Sequence, residues 1–456
     1  MSLRFRSAVL TVSVCLALAA CAPMTETSKL PDTAVQIANK SLATATTHRA
    51  PIQAAWWQKF NDPLMTALIQ EAWQANPNLA AAQASVKSAR AQGVIAGASL
   101  LPSLSSSGST RTANGSGTSL AAGMDASWEL DFFGANRLAN VAAQSELKAA
   151  EASYEDVKAS LAAEVASAYV NLRLAQAHLG VAQQNSRSRK ETVNLTGLRQ
   201  QAGLSSGLEV EQSKLSLGQT QAQIPALEGN VSRAKYALAA LTGKAPEVLN
   251  QRLKAAKPIP TATGRLSPEI PANALRQRPD IRAAEYSVAA ASARIAEAKA
   301  NLNPSFNLSG SLSLAGKNLG DLLDINSLTR SLLASISAPL LDGGRLKQQV
   351  VVRDAAYEQA VASYQKTVLS ALQDVANNFA TLAALQKQQP ILAQNLQLAR
   401  SAEHLARLSY SAGTADFQNV LDTQRSVLSV QESLLSAQAD YSLALISLYK
   451  AVGGAW

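Results

Sequence analysis

Cysteine is nearly absent from this chain: there are two residues in 456, Cys15 and Cys21. Everything after Cys21 therefore lacks a thiol for a disulfide, a metal cluster or a nucleophile. Histidine is as scarce, and His48, His178 and His404 stand too far apart to form a ligand-spaced pair. Each reads as a surface helix or loop residue. Aromatic residues are 5% of the chain and the apolar residues are mostly small, so no thick globular core is being built. Asp342-Gly343-Gly344-Arg345 has two glycines but nothing else of a nucleotide fingerprint. With no nucleophile–base pair, metal cluster or phosphate loop, an enzyme is not expected, nor a cofactor. The formal charge is +9, yet Lys and Arg are scattered rather than gathered into the patch that nucleic acid requires. Beyond the N-terminus no apolar run reaches the roughly 18–20 residues of a spanning helix. If this chain crosses a membrane it must do so as β-strands closed into a barrel, because lipid satisfies no backbone polar group.

The N-terminus has what the rest lacks. Arg4 and Arg6 precede a largely apolar run from Ala8 to Ala20, the layout of a secretory signal peptide over residues 1–20. It ends Leu18-Ala19-Ala20-Cys21, which resembles the bacterial lipobox. That resemblance implies that Cys21 becomes the mature N-terminus and carries an N-terminal acyl chain, such as palmitate, and diacylglycerol. More than one chain makes such an anchor stable. Ala22 follows, where Asp in proteins of this type favours the inner membrane, so the outer membrane is expected. Removal of Arg4 and Arg6 leaves a charge of 9 − 2 = +7.

The body of the chain repeats. Residues 76–109 align with residues 278–311 without a gap, Pro77 matching Pro279 and Pro102 matching Pro304. Phe132-Phe133 to Arg137 pairs with Leu340-Leu341 to Arg345, Ala202-Gly203 with Ala412-Gly413, and Gly243 with Gly453. Two copies of one unit of about 200 residues are expected: 61–256 and 272–456, joined by a Pro-rich linker at 257–271. An irregular lipid-anchored extension at 21–60 precedes them.

Each copy predicts the same order. A helix stops at Pro102 or Pro304, and the period then changes from helical to two. Phe306, Leu308, Leu312 and Leu314 alternate with Asn307, Ser309, Ser311 and Ser313. Ala334, Ile336, Ala338 and Leu340 alternate with Ser335, Ser337 and Pro339. Leu120, Ala122, Met124, Ala126, Trp128 and Leu130 alternate with Ser119, Asp125, Ser127 and Glu129. One apolar and one polar face over about ten residues is the pattern of a lipid-spanning strand. A small soluble sheet on a helical body is the other reading. Helices of about 65 residues follow, at about 136–201 and 346–411. Their narrow Ala/Val/Leu seams, such as Ala149, Ala152, Leu161, Val165, Ala168, Leu172 and Ala175, suit close helix packing. Gly203 and Gly413 then turn each long helix into a hairpin. Four strands per chain cannot close a barrel, so spanning demands oligomerisation.

At residues 50–456 the chain resembles the outer-membrane factor family, the TolC- and OprM-like exit ducts of bacterial efflux and type I secretion. The pieces that carry the resemblance are Leu275-Arg-Gln-Arg-Pro-Asp-Ile-Arg-Ala-Ala-Glu285, Trp128-Glu-Leu-Asp-Phe-Phe-Gly134, Pro339-Leu-Leu-Asp-Gly-Gly-Arg345, and Tyr410-Ser-Ala-Gly-Thr414 before Val420-Leu-Asp422. It implies an α+β membrane protein: a homotrimer whose twelve strands, four per chain, form a barrel in outer-membrane lipid, continuous with a long periplasmic α-helical barrel. It implies a passive duct for small toxic compounds that works with a periplasmic adaptor and an inner-membrane pump. It also implies a periplasmic gate. Asp422 and Asn419 match its ring positions, Tyr410 matches a Tyr that helps hold a closed state, and Glu209 matches an acid of the first hairpin. The Arg that pairs with that acid in TolC is here Ala415. Asp422 also reads as a solvated helix residue and Glu209 as a first-turn acid favoured by the helix dipole. The tip turns, Gly203, Leu204 and Ser205 with Gly413 and Thr414, resemble adaptor-docking grooves and also read as plain capped turns. Two other functions fit the same residues: a protein-secretion duct, and a lipid-anchored periplasmic coiled-coil scaffold with no pore.

Overall fold

The computed structural model describes residues 55–113, 117–262, 275–321 and 324–453. Cys21, His48, the expected signal peptide and most of the expected linker at 257–271 lie outside them. The elements in chain order are α1 (Pro63–Ala75), α2 (Pro77–Ala98), β1 (Ser103–Ala113), β2 (Gly117–Glu129), α3 (Ala135–Gln201), α4 (Gly207–Leu241), α5 (Pro279–Ala300), β3 (Ser305–Gly316), β4 (Leu328–Ser337), α6 (Arg345–Ser411) and α7 (Phe417–Ala451). After α1 one order occurs twice: a helix of 22 residues, two strands, a helix of 67 residues and a helix of 35 residues. At about 1.5 Å per residue the longest helices extend roughly 100 Å. No helix among the described residues is long and apolar enough to cross a membrane.

Short polar side chains start and stop these helices. Asp62 Oδ1 accepts from the backbone amides of Leu64 and Met65 at 2.9 and 3.1 Å, and Pro63 opens α1 where its missing N–H costs nothing. Met65, Leu68, Ile69 and Ala72 then recur on one buried stripe. Asn76 ends α1, and its Oδ1 accepts from Asn78 and Leu79 to start α2. Gly203 and Gly413 take φ values of 73° and 77°, the left-handed conformation that turns each hairpin.

The described residues form two compact units. One gathers Ala84–Ala152 with Asp280–Thr367 and holds the sheet. Its four strands are antiparallel in the order β1-β2-β3-β4, which leaves β1 and β4 as unpaired edges. The register separates the faces. Met124 lies opposite Ser106 and Leu312, Ala126 opposite Leu104 and Gly310, and Leu308 opposite Trp128 and Ala334. On the other face Asp125 lies between Ser105 and Ser311, and Ser311 opposite Ser331. Partners across a ladder share a face, so one side is apolar and the other is serine-rich with Asp125 and Glu129. Leu333 is an exception on the polar side and Arg330 on the apolar side. The alternation expected through Leu340 stops earlier, since β4 ends at Ser337. Pro339 has no N–H to continue a ladder, and Leu340 and Leu341 are left 95% and 96% exposed.

The other unit holds α1, α4, α7 and the far parts of α3 and α6. Trp56 stacks on Tyr449 at 5.5 Å, and Trp57 meets Trp73 edge-on at 5.1 Å. In the same unit Arg173 is fully buried. It donates to the Tyr169 hydroxyl at 2.7 Å, to Gln176 at 2.7 Å and to the Ala255 carbonyl at 2.8 Å. Tyr169 in turn donates a hydrogen bond to Asp62 Oδ2 at 2.6 Å. A buried cation is thus linked through a phenol to the carboxylate that caps α1, as buried charges require.

Candidate gate at the hairpin tips

The α3–α4 and α6–α7 hairpins each close on a tight turn in the second unit. At the first, the Leu204 amide returns to the Arg199 carbonyl at 2.8 Å; at the second, Thr414 returns to Ser409 at 2.9 Å. The Ser206 hydroxyl caps α4 by accepting from the Glu209 amide at 3.3 Å. Glu209 does sit in the first turn of α4, but its carboxylate is committed elsewhere. Glu209 Oε2 accepts from Ser205 Oγ at 2.5 Å and from the Tyr410 hydroxyl at 2.6 Å. The second of these bonds joins the two hairpins.

Arg199 completes the contact. Its guanidinium lies over the Tyr410 ring at 4.7 Å, and it donates to the Ser411 carbonyl at 3.1 Å and the Leu204 carbonyl at 3.4 Å. One arginine therefore holds the last turn of α6, the turn after α3 and the face of the tyrosine. The ring is buried against Phe417, 5.2 Å away, with Val420 and Leu421 beneath. Electrostatics follow from this packing. Hydrogen bonds from Ser205 and then Tyr410 hold the Glu209 carboxyl below its ordinary range. Burial, and then the Glu209 carboxylate, push Tyr410 up.

The expected site residues do not all meet. Glu209, Tyr410 and Ser205 come together. Asp422 is exposed, bonded to Gln418 at 3.0 Å and paired with Arg425 one turn on at 3.3 Å. Asn419 is likewise exposed, at the start of α7. Gly203, Leu204, Gly413 and Thr414 are exposed in the turns. Ala415 brings no cation, and the cation beside the acid is Arg199 on the other hairpin. Reading the residues missed Arg199, although the matched ends of the hairpins were a signal for it. Arg199 is two residues before the end of α3 and Tyr410 one before the end of α6, so the two stand at one level.

Further up, polar side chains join the helices again. Thr196 Oγ1 and Ser213 Oγ are 3.0 Å apart between α3 and α4, and Gln424 of α7 donates to Thr192 at 3.3 Å. Arg189 donates to the Ser216 carbonyl at 2.9 Å.

The family described as outer membrane efflux protein matches residues 68–244 and 270–454. The pyoverdine export outer membrane protein OpmQ of Pseudomonas putida is 32% identical over 91% of this chain and 90% of its own length. The cation efflux system protein CusC of Escherichia coli is 30% identical over 88% of each. The solved outer-membrane channel OprN superposes with a TM-score of 0.82 at 30% identity, covering 91% of this chain and 95% of OprN.

Proposed function

The chain belongs to the outer membrane efflux protein family, and from that membership we propose that it is the outer-membrane exit duct of a tripartite efflux system. It acts with a periplasmic adaptor and an inner-membrane pump and conducts passively. The observation that carries this reading is the sheet. Four strands of about ten to thirteen residues have one apolar face and two unpaired edges. Unpaired edges are not tolerated in lipid. Three chains supply twelve strands and remove the edges by closing β4 of one protomer onto β1 of the next. The serine-rich faces then line a water-filled exit, and the long helices form the periplasmic barrel.

Equal helix lengths of 22, 67 and 35 residues in both halves support an internal duplication with copies at 61–256 and 272–456. Cys21, acylated and bearing diacylglycerol, tethers each protomer to the outer membrane. At the periplasmic tip, Glu209, Tyr410 and Arg199 latch the two hairpins together in the resting state. Exposed Asp422, with Asn419 beside it, faces the aperture, where its carboxylate favours cations to the extent that its ion pair with Arg425 leaves its charge uncompensated. The turns at Gly203–Ser205 and Gly413–Thr414 receive the adaptor. Relatives named for pyoverdine export and for cation efflux indicate that the duct tolerates diverse small cargo and that the pump selects it.

Two neighbouring residues test the duct. Leu332 and Ser331 are adjacent in β4 and lie on opposite faces. Arginine at Leu332 should cost about 2–4 kcal/mol in lipid and abolish trimers in the outer membrane. Arginine at Ser331 should leave assembly intact and alter ion conductance in planar bilayers. Normal assembly of Leu332→Arg would overturn the reading.

A further inference from the structure

Arg330 breaks the pattern of its face. It lies opposite Leu312 in the ladder, and its same-side neighbours along β4 are Leu328 and Leu332. None of the residues that share this face in the four strands is Asp or Glu, since Asp125 and Glu129 both point to the other side. The nearest acids in sequence are occupied within the β3–β4 loop. Asp321 Oδ2 accepts from the amides of Lys317 and Asn318 at 2.8 and 3.0 Å, and Asp324 Oδ1 accepts from the amide and side chain of Asn326 at 2.9 and 2.8 Å. The exposed guanidinium is therefore offered to whatever lies against the sheet.

Depth identifies the occupant. The ends of the strands at Ser103, Glu129, Ser305 and Ser337 lead to helices, so the opposite, looped ends face outward. Arg330 is two residues inside the outer end of β4, about 7 Å along the strand at ~3.3 Å per residue. At a tilt of about 45° this is roughly 5 Å of depth, within reach of an arginine that extends toward the headgroups while its stem stays among leucines. At that level an outer leaflet presents phosphates, and a guanidinium binds a phosphate through two parallel hydrogen bonds.

We propose that Arg330 is a binding point for the phosphorylated headgroup of an outer-leaflet lipid, one on each protomer. This rests on the duct reading, because it requires the apolar face to meet lipid. The test uses the full-length protein purified from the outer membrane and reconstituted with lipid A carrying or lacking its phosphates, with retained lipid counted by native mass spectrometry. Wild type should retain the phosphorylated form about five- to tenfold in preference, Arg330→Gln should lose the preference, and Arg330→Lys should keep part of it. Equal preference in Arg330→Gln overturns the proposal. So does displacement of the lipid by millimolar inorganic phosphate, which would make this a small-anion site. Retention of neither lipid, together with normal assembly of Leu332→Arg, would instead remove the duct reading beneath it.

Discussion

Glu209 and Tyr410 are 201 residues apart in sequence and share a 2.6 Å hydrogen bond where the two hairpins turn. The carboxylate accepts, so the bond is charge-assisted and contributes about 1.5–3 kcal/mol. Tyr410→Phe removes it and keeps the ring on Phe417 and under Arg199. If the bond breaks on opening, the closed-to-open ratio falls by roughly one to two orders of magnitude at about 1.4 kcal/mol per factor of ten. Single-channel recording should then show longer or larger openings in Tyr410→Phe. Recordings indistinguishable from wild type would take the bond out of the gate.

The same pair sets a pH window. Glu209 is depressed from an ordinary value of 4.5, first by Ser205 and then by Tyr410, so its contribution is present above 4.5 and is lost as pH falls through the lowered value. Tyr410 is raised from 10.0 by burial and by Glu209, so its contribution is present below 10.0 and is lost as pH rises through the raised value. The latch should hold across the neutral range and loosen at strongly acid pH. Glu209→Gln keeps an acceptor but cannot titrate, and should flatten the acid limb of conductance against pH. A limb unchanged in that variant would assign it to another carboxylate.

Tyr169 stands between Arg173 and Asp62, and burial, aided by Asp62, pushes its phenol up to about 12. Tyr169→Phe leaves a fully buried guanidinium one acceptor short and Asp62 one donor short. About 2–4 kcal/mol of stability should be lost, visible as a lower thermal midpoint. Asp62→Ala should cost about as much, because it also removes the cap of α1. An unaltered midpoint in either variant would mean that water replaces the missing partner.

Much of this was legible in the residues, and the illegible part has a physical cause. Pro77, Pro279, Gly203 and Gly413 punctuate the helices because a missing N–H or a positive φ acts locally. The strands announce themselves through Leu308, Leu312 and their serine neighbours because alternation is local too. The end of β4 is an exception, because Ala338 and Leu340 keep the period while Pro339 withholds the amide a ladder needs. The latch lay deeper. Arg199 and Ser411, 212 residues apart, meet only when two hairpins are laid side by side. The resemblance points to position 415 for a cation beside Glu209, whereas the one near that carboxylate is Arg199 on the first hairpin. Side-chain partners that depend on tertiary pairing leave no periodic trace.

Two glycines with the same left-handed backbone should respond differently to substitution. A Cβ at Gly243 would lie 2.2 Å from the Ala75 carbonyl oxygen, whereas one at Gly203 meets nothing within 4 Å. Gly203→Ala carries only the conformational penalty of positive φ, about 1–2 kcal/mol. Gly243→Ala adds a backbone clash where α4 passes the end of α1, which should prevent accumulation of folded protein. Comparable yields and thermal midpoints for the two variants would contradict the packing at Gly243.

The long helices share a weak point. Gly180 is residue 180 − 135 + 1 = 46 of α3, and Pro390 is residue 390 − 345 + 1 = 46 of α6. Neither residue favours a helix interior: glycine costs about 1 kcal/mol against alanine and proline about 3. Within the chain nothing lies within 4 Å of a Cβ at Gly180, so packing inside the protomer does not require it. Gly180→Ala should therefore raise stability by about 0.5–1 kcal/mol. Pro390→Ala should raise it further by restoring a backbone hydrogen bond. If the pair instead gives flexibility to the helices above the latch, both variants should also open less often in single-channel recordings. A lower thermal midpoint in Gly180→Ala would show that the glycine is needed for a backbone conformation that alanine does not adopt.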